Sequence, residues 1–105
     1  MNDDLSFQRL RQANVERCEK SYHPIGEWSE CDWAVALAGE CGEVCHIVKD
    51  RRRGEEVEVY ALGAELADLV IYADLLAARV GIDLGDAIRR KFNETSRKVQ
   101  SEIQL

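Results

Sequence analysis

The sequence predicts an all-α protein of four helices, and three observations indicate this class. Apolar residues recur at helical spacing, whereas the strict alternation typical of strands is nearly absent. The chain contains one proline, Pro24, and no linker rich in serine and glycine. Its 105 residues are 46% hydrophobic and 32% charged, which is enough apolar material for a folded core. We therefore expect one domain spanning residues 1–105.

The first predicted helix runs from Asp4 to Lys20. The stretch SYHPIGEW ends it, because Pro24 has no N–H to donate and restricts the conformation of the residue before it. The apolar side of this helix is predicted to consist of Leu5, Leu10 and Cys18.

The second predicted helix runs from Glu30 to Arg52. Ser29 is a typical N-cap, and Asp32 three residues later completes a pattern like the capping box. Gly54 suits the end of the helix, where a left-handed residue closes the last turn.

The third predicted helix spans Val57 to Val80 and is closed by Gly81. Asp83 is then expected to cap a fourth helix over residues 84–99. The loops between these helices are short, which favours antiparallel neighbours.

Acidic residues lie on the apolar side of the second helix. At about 100° per residue, Glu40 points in the same direction as the stripe, and Glu43 lies about 60° away, at its edge. The apolar stripe itself is predicted to be Trp33, Leu37, Val44 and Val48.

The third helix repeats this pattern. Glu65, Asp68 and Tyr72 share one side with Leu69, Leu75 and Leu76, and the opposite side carries Leu66, Val70, Ala73 and Ala77. A helix that is apolar nearly all round is expected to be central in the fold or to lie in a subunit interface.

If these two helices pack through their stripes, four carboxylates converge. Two unit charges about 4 Å apart repel by about 4 kcal/mol at an effective dielectric near 20. Basic side chains, protons or a divalent cation would have to offset this repulsion. Carboxylates without cysteine or histidine are hard oxygen ligands that suit Mg²⁺ or Mn²⁺. The alternative is that these are ordinary helical acids at the rim of a core.

Charge and hydropathy limit the classes of partner. A net charge of −6 and a pI near 4.9 argue against a general nucleic-acid or anionic-membrane binder, although KDRRRG at residues 49–54 is locally basic. No apolar run of 18 residues predicts a membrane span, and the N-terminus has no apolar signal core. We expect a cytoplasmic protein, whose four cysteines stay reduced.

At this point the sequence resembles a known family. GECGEV followed by AELADLVIYADLLAARVGIDL is similar to the MazG-like members of the all-α nucleoside triphosphate pyrophosphohydrolase superfamily. The family signature is ExxE, a spacer, then ExxD, which this chain matches with Glu40 and Glu43, residues 44–64, then Glu65 and Asp68. The resemblance continues through RRKFNETSRK and covers about residues 28–98.

The resemblance implies hydrolysis of a (deoxy)nucleoside triphosphate to the monophosphate and pyrophosphate with Mg²⁺, for which Mn²⁺ is a possible substitute. It implies a role in removing unwanted nucleotides or balancing their pools. By position, the catalytic and metal-binding residues would be Glu40, Glu43, Glu65 and Asp68. One acid, most plausibly a glutamate of the first pair, could take the proton of the attacking water instead of binding metal.

The family also has residues for the rest of the nucleotide. The resemblance implies that Lys91 and Asn93 contact phosphate or sugar and that the Tyr72 hydroxyl donates to a phosphate. It places aromatic residues before the first acid pair to stack on the base, here Trp28 and Trp33. Trp33 lies on the helix stripe, so its alternative role is core packing.

His23 lies near these tryptophans. It could recognise the edge of a base, or it could be an ordinary loop residue.

Four other interpretations stay open. Glu43 and His46 have the ExxH spacing of di-iron bundles, but those bundles need a second ExxH. Cys41 and Cys45, with Cys31, could be taken for a zinc site, although no CxxC is present and small cysteines suit a helix interface. The protein could also be a non-catalytic helical interaction protein, or a hydrolase of phosphoribosyl-ATP.

A short chain with a two-sided apolar helix is expected to self-associate. Small members of the resembled family are often tetramers in which residues of the last helix complete a neighbour's site. We therefore expect a homo-oligomer, with a tetramer favoured over a dimer.

Overall fold

The computed structural model of the protein describes residues 4–105 and contains four α-helices in the expected order. These are α1 (Phe7–Ser21), α2 (Glu30–Arg52), α3 (Val59–Val80) and α4 (Leu84–Lys98), with a short 3₁₀ turn at Ile25–Glu27. No strand occurs within residues 4–105. The predicted all-α class is confirmed.

Capping residues set the helix starts. Ser29 and Asp32 form the predicted capping box, in which Asp32 N–H donates to Ser29 Oγ at 3.0 Å and Ser29 N–H donates to Asp32 Oδ2 at 2.9 Å. Helix α1 begins three residues later than predicted, because Ser6 Oγ accepts from Arg9 N–H at 3.1 Å and so caps the helix there. Leu5 therefore lies outside α1 and is 72% exposed, so its assignment to the apolar side was wrong.

Glycines end the two long helices, as predicted. Gly54 and Gly81 have φ of 85° and 77°, a left-handed conformation that costs glycine little. A third glycine, Gly85, serves close packing, because a Cβ there would lie 3.0 Å from Cβ of Phe7. The start of α4 is thereby held against the start of α1.

Helices α2 and α3 pair closely as an antiparallel hairpin. Trp33, near the start of α2, lies beside Tyr72 of α3, with ring centroids 6.4 Å apart. Glu40, further along α2, reaches the earlier acids of α3. Helix α1 lies against α3, whereas α4 packs against α1 and contributes no residue to the hairpin's buried cluster.

The buried core is small. It is built on Cys18, Ile25, Trp33 and Leu75, with a few half-buried side chains packed around them. The radius of gyration is 16.2 Å, compared with about 13 Å for a compact domain of about 100 residues. The single chain is therefore more extended than a self-sufficient globule.

Two details of the predicted helix faces are corrected. Val48 is 49% exposed rather than part of the packed stripe, and the half-buried Ile47 lies on the packed side instead. Cys41 and Cys45 are exposed rather than packed in an interface. Both corrections have one reason. Side chains of α2 turn by about 100° per residue over its 23 residues, and one partner helix covers only part of the circumference of α2.

Apolar surface remains uncovered on α3 and α4. Leu66 and Val70 on α3 are 45% and 42% exposed, and Ile88 and Phe92 on α4 are 37% and 42% exposed. No helix within residues 4–105 is long and apolar enough to cross a membrane.

Candidate functional site

Three of the four predicted acids meet between α2 and α3. Glu40, Glu65 and Asp68 each offer a carboxylate oxygen, and these atoms lie within 4.8 Å of one another. Glu65 and Asp68 are three residues apart and therefore lie on one face of α3, opposite Glu40. We call these three residues the acid cluster.

Glu43 lies at the edge of the acid cluster. It is one turn beyond Glu40 on α2 and is exposed. Its charge still reaches Glu40, where it contributes to raising the pKa of that carboxyl group. The structure thus brings three of the predicted acids together and leaves the fourth beside them.

Among the described residues, the acid cluster has no ion-pair partner. Within residues 4–105, no lysine, arginine or histidine forms an ion pair with Glu40, Glu43, Glu65 or Asp68. Burial raises the pKa of Glu40, and repulsion from Asp68, Glu65 and Glu43 raises it further. Such a group of hard oxygen donors without internal counter-charge could hold a divalent cation such as Mg²⁺ or Mn²⁺.

A cavity of about 290 Å³ opens next to the acid cluster. Its volume is at the lower end of the range of small-molecule sites. Carboxylates line one part of it and aromatic rings another. Its wall consists of Asn14, Arg17, Cys18, Tyr22, His23, Trp28, Trp33, Glu40, Asp68, Ile71, Tyr72 and Leu75.

The aromatic wall contains all three predicted base-binding residues. His23 and Trp28 have ring centroids 4.5 Å apart, and Trp28 and Trp33 are 4.6 Å apart. Trp33 is only 2% exposed, and its Nε1–H donates to the carbonyl of Ile25 at 3.1 Å. Trp33 is therefore a core residue at the base of the wall, whereas His23 and Trp28 are half-buried.

Two hydrogen-bonded contacts hold the outer part of this wall. Arg79 Nε–H donates to the carbonyl of Trp28 at 2.8 Å, so Arg79 fixes the loop backbone that carries the ring. His23 Nδ1 lies 2.9 Å from the carbonyl of Pro24 and 3.6 Å from a carboxylate oxygen of Glu27. Contacts to backbone carbonyls thus fix the positions of these two residues.

Tyr72 joins the acidic and aromatic parts of the cavity. Its ring packs against the core, and its pKa is raised by burial first and then by the negative charge of Glu40. The phenol therefore stays protonated and can donate a hydrogen bond to an anionic ligand.

Lys91 and Asn93 do not reach this cavity within one chain. Lys91 Nζ lies 3.7 Å from a carboxylate oxygen of Glu94 on the same helix. The side-chain amide of Asn93 exchanges two hydrogen bonds with the backbone of Leu105, of 2.8 and 3.3 Å. The reason is the position of α4, which packs against α1 rather than over the α2–α3 hairpin.

The other metal interpretations find no support in the geometry. His46 Nε2 lies 3.3 Å from Asp50 and is exposed, so the ExxH does not join the acid cluster. Within residues 4–105 the acid cluster is the only group of three acidic, cysteine or histidine side chains close enough to share an ion. Cys31, Cys41 and Cys45 belong to no such group.

Sequence reasoning missed the contribution of α1. Asn14, Arg17, Cys18 and Tyr22 all line the cavity, and Asn14 is buried at 4% exposure. A signal was present, because these residues recur at the three- and four-residue spacing of one helix face. This face was not recognised because the sequence analysis looked for apolar residues, and of these four it named only Cys18.

A second acid on α3 was also missed. Asp74 is 1% exposed and accepts hydrogen bonds from Arg11 Nε–H at 2.9 Å and Asn14 Nδ2–H at 3.2 Å. Arg11 also donates to the carbonyl of Ile82 at 2.7 Å. This network joins α1 to α3 and to the turn before α4.

Searches against protein-family models, characterised proteins and solved structures return no match for this chain.

Proposed function

We propose that the protein hydrolyses a (deoxy)nucleoside triphosphate to the monophosphate and pyrophosphate in the presence of Mg²⁺. The observation that carries this proposal is one cavity that is lined both by an aromatic wall and by Glu40 and Asp68 of the acid cluster, which has no ion-pair partner within residues 4–105. A metal–triphosphate complex and a flat base are the two portions of a nucleotide that these parts suit.

The acid cluster would hold the metal. Glu40, Glu65 and Asp68 provide three carboxylates, and Glu43 is close enough to add a fourth. A bound Mg²⁺ would supply charge neutralisation for the phosphates and a lowered pKa for the attacking water. The residues would hold the metal and so position the phosphates for attack, and positioning of this kind is the main demand of phosphoryl transfer.

One glutamate has the properties of a proton acceptor. Glu40 is a candidate for this role instead of metal binding, because burial raises the pKa of its carboxyl group and the charges of Asp68, Glu65 and Glu43 raise it further. A raised pKa brings a general base closer to the working pH. Glu40 is also next to Tyr72, whose protonated hydroxyl can donate to a phosphate oxygen.

Trp28 and His23 would hold the base. Their rings are tilted by 33° with centroids 4.5 Å apart, and both side chains are half-buried rather than sealed in the core. Stacking of a base on an aromatic side chain contributes about 1 to 3 kcal/mol by analogy with single-strand binding sites. Trp33 supports this wall from the core.

The functional form is proposed to be a homo-oligomer, with a tetramer favoured over a dimer. The small core, the large radius of gyration and the exposed apolar residues of α3 and α4 support self-association. In such an assembly Lys91 and Asn93 would act on the cavity of a neighbouring chain. Light scattering coupled to gel filtration tests this, and a stable, active monomer at micromolar concentration would refute it.

Subunit mixing tests whether Lys91 acts across a boundary. An inactive Glu40→Gln chain and an inactive Lys91→Ala chain should recover part of the activity as re-assembled hybrids. If subunits exchange and no activity returns, each chain builds its own site.

Product analysis tests the reaction itself. A panel of NTPs, dNTPs, damaged dNTPs and phosphoribosyl-ATP is incubated with Mg²⁺, and pyrophosphate is measured against orthophosphate. Pyrophosphate and a monophosphate are the expected products. Orthophosphate as the primary product would refute the proposal. Exclusive turnover of phosphoribosyl-ATP would identify that compound, rather than a dNTP, as the substrate.

A non-catalytic interaction protein is the second candidate, favoured by the exposed apolar residues of α4. Thermal unfolding with and without Mg²⁺ discriminates the two. A ligand that binds only the folded state raises stability by RT ln(1 + [L]/Kd). No effect of millimolar Mg²⁺ or Mn²⁺, together with no turnover across the panel, would favour the interaction protein.

A further inference from the structure

Arg17 of α1 is a positively charged residue at the cavity. It lines the same cavity as the acid cluster and the aromatic wall, and it is the only lysine or arginine among the described residues that do so. Its guanidinium forms no hydrogen bond or ion pair with another residue of the described chain, 4–105. Arg17 is exposed, as Arg9 is, but it lines the cavity, so its charge is available to an anion there.

The local sequence explains why Arg17 is unpaired. The residues three and four positions away, where helical ion pairs form, are Ala13, Asn14, Lys20 and Ser21, and none is acidic. The nearby cation Lys20 is instead paired with Glu16 at 2.8 Å. The acids of α1 therefore leave Arg17 unpaired.

The packing of α1 on α3 sets where Arg17 lies relative to the acids. Arg11 bonds to Asp74 and Ile82, and Asn14 bonds to the carbonyl of Ile71, so α1 runs antiparallel to α3. Arg17, one turn beyond Asn14, therefore lies at the level of the part of α3 that carries Asp68, and both residues line the cavity.

The charge of the expected ligand requires such a group. A triphosphate carries about four negative charges near neutral pH, and the acid cluster adds three more. Metal ions offset part of this total, and Lys91 is proposed to reach the cavity only from a neighbouring chain. Within the chain, Lys91 lies by Glu94 and Arg79 is bonded to the carbonyl of Trp28, so neither offers its charge to this cavity.

We propose that Arg17 is a phosphate-binding residue of this cavity, which grips the phosphate chain of the nucleotide from α1 while the acid cluster holds its metal. A guanidinium suits this task because its planar fork presents paired N–H donors to phosphate oxygens. The proposal rests on the nucleotide function of the cavity for its substrate, but phosphate binding by Arg17 can be measured without turnover.

The test compares Arg17→Ala with Arg9→Ala, a matched control. Arg9 is an exposed arginine on the same helix that does not line the cavity, so both variants lose one positive charge. Binding of Mg²⁺–tripolyphosphate and of a deoxynucleoside without phosphates is measured by calorimetry. Charged hydrogen bonds of this kind are worth about tenfold or more in affinity.

We expect Arg17→Ala to weaken tripolyphosphate binding about tenfold or more and Arg17→Lys to recover part of it. Arg9→Ala should bind tripolyphosphate like the wild type, and none of the variants should change deoxynucleoside binding. Equal tripolyphosphate affinity in Arg17→Ala and Arg9→Ala would overturn the proposal, as would absence of tripolyphosphate binding by the wild type.

These outcomes are separable from failure of the proposed reaction. A wild type that hydrolyses a dNTP while Arg17→Ala keeps its KM and its tripolyphosphate affinity would refute the role of Arg17 alone. A wild type that binds tripolyphosphate through Arg17 but hydrolyses nothing would refute the reaction and leave the phosphate site standing.

Discussion

Asp68 and Asp74 lie six residues apart on α3, and their surroundings differ completely. Asp74 is 1% exposed and has two partners, Arg11 and Asn14, that satisfy its charge from within the chain. Asp68 lies beside two glutamates and has no cationic partner among the described residues. The comparison teaches that burial alone does not single out a candidate site, whereas a group of acids without a cationic partner does.

Trp33 and Trp28 differ in a similar way. Trp33 is buried and its ring N–H is bonded to the carbonyl of Ile25, so it is complete within the fold. Trp28 is half-buried; its ring contacts those of His23 and Trp33, and Arg79 donates to its backbone carbonyl. The exposed part of its ring is the part proposed to contact a base.

The largest expected effect is on catalysis. Glu40→Gln, Glu43→Gln, Glu65→Gln and Asp68→Asn each remove a carboxylate that would hold metal or accept a proton. We expect kcat/KM to fall about 10³-fold, or about 4 kcal/mol of transition-state stabilisation. Steady-state pyrophosphate release measures this, with Glu56→Gln as an exposed acidic control. Four variants with wild-type turnover would show that the site assignment is wrong.

Substitution of Trp33 should lower the stability of the fold, whereas substitution of Trp28 should lower the affinity for substrate. Trp33→Ala is expected to lower the free energy of unfolding by about 3 to 5 kcal/mol, because it empties the core. Trp28→Ala should instead raise KM by a factor that corresponds to about 1 to 3 kcal/mol. Urea unfolding and steady-state kinetics measure the two quantities. Equal, mild effects of both variants on both quantities would contradict this division.

Asp74→Asn should act on the fold and spare the chemistry. Removal of its charge leaves the Arg11 guanidinium without a counter-charge, which we expect to cost about 3 kcal/mol of stability, since Arg11 is partly exposed. Glu16→Gln breaks an exposed helical ion pair and should cost about 0.3 to 0.5 kcal/mol. Urea unfolding compares them. A thousandfold loss of kcat in an Asp74→Asn variant that still folds would show that Asp74, like Asp68, acts in catalysis, and would contradict the structural role assigned to it.

The smallest effect concerns pH in the absence of metal. The pKa of Glu40 is raised above its ordinary value of 4.5 in the folded chain, so the folded state holds this proton to higher pH than the unfolded state. Stability therefore falls as pH rises from the ordinary value through the raised one. Glu40→Gln has no such proton to lose, and it should gain thermal stability over the wild type as pH rises.

Thermal melts at about pH 4 and about pH 7 without Mg²⁺ measure this difference. Glu40→Gln should melt above the wild type at the higher pH, and the gap should shrink at the lower pH. An equal difference in melting temperature at the two pH values would show that the charge of Glu40 does not cause the difference in stability. Added Mg²⁺ should stabilise the wild type more than the variant, since only the wild type keeps the full acid cluster.

Much of the helical framework was predictable because its signals are local. The Ser29–Asp32 capping box and the glycines at 54 and 81 act within one helical turn, and the predicted bounds of α2 agree with the structure at both ends. The approach of Glu40 to Glu65 and Asp68 was also predictable, since an acid on an apolar face must meet the helix that packs there. The start of α1 was misjudged, because Ser6 and Asp4 are both acceptable caps by type.

The sequence by itself determined the helices and which acids share a face with apolar residues, because helical periodicity and capping depend on near neighbours. Only the tertiary structure decided which charges are matched. Arg11 reaches Asp74 across 63 positions, and Arg79 reaches Trp28 across 51, through the docking of separate elements. The same docking brings Arg17 to the cavity and leaves α4, with Lys91 and Asn93, away from it. No local pattern encodes these distances, because they depend on how three helices pack at once.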